Sequence, residues 1–307
     1  MGSLPQLGPI DRNPIDRPES FPSPGSLPMP RCRSNRSGGS VPRIPSSGVA
    51  MVAAVLVASV PMGCQSVSGT GRSQFNAYSV EEEIALGDRA FDEMLEVVDV
   101  ITSGPRHEMV IEVTERIAAA AERLHPDIAG RFDWEVVLID DDEIVNAWAL
   151  PGGKMAVYTG ILPYTLDADG LAAVMGHEAA HAIARHGGEN MTRQGLVGIL
   201  AIGAAAALDV EDHSIVAAAA NAYGLLGEPA FSRGQETEAD ELGLFIAAEA
   251  GYDPREAISL WERMGAAGGE PPEFLSTHPS SDTRIRQLEA LMPLALEIRR
   301  RRLADAP

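Results

Sequence analysis

Three of the chain's seven histidines fall between positions 177 and 186, in the stretch GHEAAHAIARHG. On a helix, positions i and i+4 share a face, so His177 and His181 offer two imidazoles to one point. Glu178 lies about 100° round the helix from His177, from where it reaches a water at that point without binding an ion there itself. This HExxH spacing is that of a two-histidine metal site with a carboxylate as general base. The plainer alternative is a core helix that carries polar anchors. The neighbours Ala173, Val174, Met175, Gly176, Ala179, Ala180, Ala182 and Ile183 are small and apolar. Burying two imidazoles and a carboxylate among them is costly unless they are partnered, which favours the metal site. Small side chains also let other elements approach the ion. His186 does not extend the motif to HExxHxxGxxH, because Ala184 and Gly187 stand where that pattern needs Gly and His. It is expected at the helix C-terminus, where a cation is favoured, with Gly187-Gly188 ending the helix.

A third ligand has to come from elsewhere, and the segment SRGQETEADELG at 232–243 supplies candidates. Glu236 and Asp240 are four apart and share a helix face. One of the two can bind the metal, while the other accepts the free N–H of a ligand histidine and orients its ring. Glu238 points nearly opposite, and a solvated surface is expected for it.

Composition limits the alternatives. A formal net charge of -20 excludes a nucleic-acid partner, which needs a basic face, and a polybasic hold on anionic lipid. The two cysteines, Cys32 and Cys64, both precede the part with helix and strand periodicity. They imply no disulfide framework and rule out a cysteine-based zinc site, so His, Asp and Glu must hold any metal.

Residues 1–47 are rich in Pro, Ser, Gly and Arg. Arg31, Arg33, Arg36 and Arg43 then precede an uncharged apolar run at 48–60, long enough for the core of a signal peptide but short for a membrane span. The run ends in Pro61-Met62-Gly63-Cys64, and the small residue before Cys64 resembles a lipoprotein cleavage box. Residues 1–64 are therefore expected to be an export signal with Cys64 lipidated, and Met29 is a candidate for the true start. Residues 65–78 read as a polar tether, and 79–303 as the folded domain.

Ser79 and Glu82 form a capping box that opens the first helix, at 79–98. A second helix is expected at 107–124. Strands follow at 132–139, 145–150 and 154–159, with a Pro151-Gly152-Gly153 turn between the last two. Helices then return from about 167, including uncharged 194–208, read as buried or as a lid, then 214–226, 232–250, 253–267 and 279–301. The expected fold class is α+β, mostly helical, with a small β-sheet packed by the HExxH helix.

HExxH followed by a downstream ExxxD helix resembles the gluzincin metallopeptidases that include the CAAX prenyl protease, HtpX and the periplasmic BepA-type proteases. NAWALPGGKMAVYTGIL at 146–162, SRGQETEADELG, and STHPSSDTR at 276–284 resemble further blocks of that family in the same order. The resemblance covers roughly residues 79–300. It implies a zincin-like domain with one zinc ion, in which His177, His181 and Glu236 are ligands, Glu178 is the catalytic base and Asp240 supports a ligand. It also implies that His278 can occupy zinc's open position and hold the enzyme latent. His278 and Arg233 are alternative candidates for an oxyanion donor. The strand carrying Asn146, Ala147 and Trp148 is a candidate for pairing with an extended substrate. HtpX and the CAAX protease span membranes several times and BepA-type proteases carry helical repeats. This chain shows neither feature, which implies a small member of the exported branch. The expectation is a zinc endopeptidase on the periplasmic side of a bacterial envelope, attached by a lipid anchor and acting on unfolded or misfolded proteins. The competing expectation is a protease-like binding or chaperone module with a structural zinc.

Overall fold

The computed structural model describes residues 64–207, 231–266, 273–278 and 282–305. Residues 1–63 of the expected 1–64 signal and the expected helix at 214–226 lie outside the described residues. Chain order runs β1 (Cys64–Ser66), β2 (Ser73–Phe75), α1 (Val80–Leu95), β3 (Val100–Ile101), α2 (Pro105–Leu124), the short α3 (Pro126–Ala129), β4 (Glu135–Ile139), β5 (Ala147–Leu150) and β6 (Lys154–Tyr158). After a 3-10 turn come α4 (Leu162–Thr165), α5 (Ala168–Ile183), α6 (His186–Ala207), α7 (Arg233–Glu249), α8 (Glu256–Ala266), α9 (Glu273–Thr277) and α10 (Asp282–Ala304). Helices dominate and one four-stranded sheet accompanies them, as the α+β expectation required.

The local signals act as their chemistry predicts. Ser79 and Glu82 form the reciprocal capping box of α1, and Ser232 with Gln235 forms another at the start of α7. Asp167 caps α5 by accepting from the amides of Asp169 and Gly170. The main sheet has the order β3-β4-β6-β5, with β4 and β6 parallel and the outer pairs antiparallel. Gly152 and Gly153, with φ of 91° and 86°, turn the chain from β5 into β6 in a conformation that side chains disfavour. Strand β5 lies at an edge of this sheet.

Helix α5 runs through the core. Every residue from Val174 to His186 is buried, so it is enclosed on all sides and needs no polar face. Its neighbours include α7, α2, α8 and β5. Among the described residues, no helix is long and apolar enough to cross a membrane.

Two expectations change. Residues 65–78 are not a free tether: β1 and β2 pair as an antiparallel hairpin, and Val67, Gln74 and Asn76 are buried. The HExxH helix also stops before Gly187-Gly188. It ends at Ile183, Arg185 turns the chain with φ of 59°, and α6 begins at His186 and runs through both glycines. Arg185 holds this uncommon conformation because its guanidinium is engaged by Glu83, Gln65 and the carbonyl of Tyr78.

Candidate metal centre

Four side chains converge where α5, α7 and the end of α9 meet. His177 Nε2 lies 3.1 Å from His181 Nε2 and 3.2 Å from His278 Nδ1. Glu236 Oε1 lies 3.1 Å from His278 Nδ1 and 3.5 Å from His181 Nε2, and Glu236 Oε2 lies 3.5 Å from His177 Nε2. One ligand atom from each of the four falls within 4.8 Å of the others, and all four residues are buried. The HExxH helix supplies two of them because i and i+4 face the same way, and α7 supplies Glu236 from its first turn.

The surroundings order these groups. Asp240, one turn beyond Glu236, places Oδ1 3.1 Å from His177 Nδ1, which fixes the ring from behind. Arg284 from α10 donates to both oxygens of Asp240 at 2.6 Å, and its Nη1 lies 2.7 Å from Glu236 Oε2. Its guanidinium lies over Trp261, 4.2 Å from the ring centre. Glu178 is buried beside the cage, with Oε1 3.5 Å from His278 Nε2.

The electrostatics follow from these contacts. Burial pushes the Glu236 carboxyl up, but hydrogen bonds with His177 and His278 outweigh it and hold the group well below the usual carboxylate range. Asp240 is lowered in the same way, burial being outweighed by Arg284 and His177. Burial holds His181 well below the ordinary histidine value, reinforced by the field of His177, His186, His278 and Arg284. A neutral imidazole is the form that binds metal.

A divalent ion fits this donor set on two grounds. Imidazole nitrogens face one another at 3.1–3.2 Å, and neutral rings bring lone pairs together there unless a proton or a cation lies between them. The carboxyl groups of Glu178, Glu236 and Asp240 are also gathered around the one guanidinium of Arg284, an acidic setting that suits a cation. Nitrogen and oxygen donors converging from four residues suit zinc.

The family called Peptidase family M48 matches residues 105–292, well over half of the chain. The chain belongs to peptidase family M48. The four residues of the cage all lie within the matched segment and form a group able to hold a metal ion. Mitochondrial metalloendopeptidase OMA1 of Schizosaccharomyces pombe is 39% identical over 237 residues, covering 74% of this chain and 66% of that protein. The human Metalloendopeptidase OMA1, mitochondrial, is 30% identical over 249 residues, 75% of this chain and 46% of that protein. The Beta-barrel assembly-enhancing protease of Yersinia pestis is 27% identical over 224 residues, 70% of this chain and 45% of that protein. The M48 chain thus spans about two thirds of the fission-yeast relative and under half of the other two.

These identities correct the expected location. Relatives at 30% identity or more from fungi, a plant and animals are named as mitochondrial proteins, which overturns the expected bacterial periplasm. The bacterial relative named above and another of its kind match at 27% identity. The lipid anchor expected at Cys64 rested on that same bacterial setting. In the structure Cys64 opens β1 and pairs with Phe75.

Of the residues singled out in the sequence, the structure brings His177, Glu178, His181, Glu236, Asp240 and His278 together. Arg233 is different: it is exposed at the first turn of α7, and the guanidinium that reaches the cage belongs to Arg284. Arg284 stood in the STHPSSDTR block without an assigned role. Glu238 is not solvated but 5% exposed, because the β1–β2 hairpin covers the face of α7 opposite Glu236. His186 is wholly buried against His181, at the start of α6 rather than at the C-terminus of the HExxH helix. Strand β5 lies at the sheet edge, but its start is engaged. The Asn146 side chain accepts from the Ala147 amide, the Val145 carbonyl accepts from Phe274, and Trp148 packs edge-on against Phe91.

Proposed function

We propose that this chain is a zinc-dependent endopeptidase that hydrolyses unfolded or misfolded polypeptides. His177, His181 and Glu236 are the permanent ligands, and His278 is a displaceable fourth. The observation that carries this reading is the buried carboxylate of Glu178 beside the cage, because a purely structural zinc needs no base. Zinc held there would polarise a scissile carbonyl and acidify a water. Glu178 takes the proton of the attacking water and returns it to the leaving amine. Asp240 holds His177 in the tautomer that turns Nε2 to the cage, and Arg284 keeps Glu236 and Asp240 in place. An extended substrate lies along β5 from Trp148 to Leu150, beyond the engaged positions, and main-chain pairing there tolerates many sequences.

A second reading has one observation in its favour. With His278 included, the cage offers four protein ligands, the closed arrangement of a structural zinc site. A binding or chaperone module would look the same in this respect. Digestion of a reduced, unfolded protein by the full chain decides between the two. The endopeptidase reading expects cleavage that a chelator stops and one equivalent of zinc restores. A zinc-loaded chain that binds the substrate and leaves it intact, even when His278 is replaced by alanine, favours the module.

A further inference from the structure

The two histidines of the HExxH helix are held from behind in different ways. His177 meets a carboxylate directly, through Asp240. His181 meets another imidazole: its Nδ1 lies 2.9 Å from His186 Nδ1, and His186 Nε2 lies 3.0 Å from Glu238 Oε2. Two facing Nδ1 atoms can share only one proton. With His181 turning Nε2 to the cage as a lone pair, its proton sits on Nδ1 and is donated to His186. His186 then carries its own proton on Nε2 and donates it to Glu238. The proton positions along the row are fixed by the carboxylate at its end.

That carboxylate is set by the N-terminal hairpin. Arg72 Nε donates to Glu238 Oε2 at 2.6 Å, and the Thr70 hydroxyl donates to Glu238 Oε1. The same guanidinium makes a two-point contact with Glu189 in the first turn of α6, at 3.0 and 2.8 Å. His181, His186 and Glu238 are 2%, 0% and 5% exposed, so water does not compete along the row.

A separate set of contacts ties the same N-terminal segment to the α5–α6 junction. Arg185, whose left-handed turn swings His186 under His181, donates to Gln65 of β1, to the Tyr78 carbonyl at 2.7 Å and to Glu83 at 2.8 and 3.0 Å. The segment therefore fixes both the backbone that carries His186 and the carboxylate that orients it.

We infer that the β1–β2 hairpin is a positioning element for the metal: Thr70 and Arg72 act through Glu238 and His186 to hold His181 in its ligating tautomer and orientation. The inference rests on the zinc reading of the cage. It makes His181 a ligand whose geometry depends on residues more than a hundred positions away in the chain.

The test uses the full chain, with zinc affinity measured by competition with a chelator and ligand geometry read from the visible spectrum of the cobalt-substituted protein. Glu238→Ala removes the acceptor. Glu238→Gln keeps the shape and an acceptor oxygen but drops the charge. Arg72→Met releases the hairpin end of the row. Glu238→Ala is expected to weaken zinc roughly 10- to 100-fold and to shift the cobalt spectrum, with the other two moving both readouts the same way by less. Melting of the metal-free proteins shows which variants fold. If Glu238→Ala does not, the two milder variants carry the comparison. Folded variants with a lowered melting temperature but unchanged zinc affinity and cobalt spectrum would mean a purely structural network and overturn the inference alone. A parent chain that binds no zinc overturns the zinc reading and this inference together.

Discussion

Gly176 and Gly243 meet backbone to backbone. A Cβ on Gly243 would lie 2.8 Å from the carbonyl carbon of Gly176 and from the amide nitrogen of His177. A Cβ on Gly176 would lie 2.8 Å from the Gly243 carbonyl oxygen. This contact lets α5 and α7 cross closely enough for Glu236 and Asp240 to reach the histidines. Neither backbone can yield as a side chain would, so Gly243→Ala should destabilise the fold by about 1–3 kcal/mol and weaken zinc binding. Chemical unfolding and chelator competition check the two effects.

Arg284 is the one cation at the cage among the described residues, and it is 4% exposed. Arg284→Met leaves Asp240 and Glu236 buried without their shared partner, at a cost of about 3–5 kcal/mol in urea unfolding of the metal-free protein. Arg284→Lys keeps the charge but not the planar fork that meets both Asp240 oxygens, so it should recover only part of the loss.

His278 places Nδ1 3.1 Å from Glu236 and 3.2 Å from His177, within reach of an ion held by the other three. In the proposed function it is a displaceable ligand that competes with water and substrate for the open position. His278→Ala should raise the rate of cleavage of an unfolded protein while zinc stoichiometry stays at one. A fall in rate with zinc retained would instead make His278 a participant in the chemistry.

His125 links the hairpin to the end of α2, with its Nδ1 3.2 Å from the Ser68 hydroxyl. Burial lowers its pKa below the ordinary value of 6.5. The unfolded chain therefore takes up this proton first as the pH falls. The stability tied to neutral His125 is complete above about pH 6.5 and is lost as pH drops through the folded-state pKa. The melting temperature of the parent should fall from about pH 7 to about pH 5.5 more steeply than that of His125→Gln.

The cage was legible because its spacing is local. HExxH and ExxxD each put two groups on one helix face, and the buried path of α5 follows from its unbroken run of small apolar residues. What stayed hidden depends on distant chain. Glu238 looked solvated because nothing in its own helix says that residues 64–75 fold over that face. The early end of α5 was hidden for the same reason. Arg185 adopts a left-handed conformation only because Gln65, Tyr78 and Glu83 are there to hold it, while Gly187-Gly188 carries the stronger local stop signal. The short β3 has two residues and no period of its own, and it exists through pairing with β4.

Glu178 separates an enzyme from a zinc-binding scaffold. Full-length parent and Glu178→Gln are each loaded with one zinc and incubated with an unfolded protein. The parent is expected to cleave, and the variant to hold the same zinc while cleavage falls by about 100- to 10,000-fold. A variant that cleaves at the parent's rate, or a zinc-loaded parent and His278→Ala that both leave the substrate whole, would contradict a peptidase built on this carboxylate.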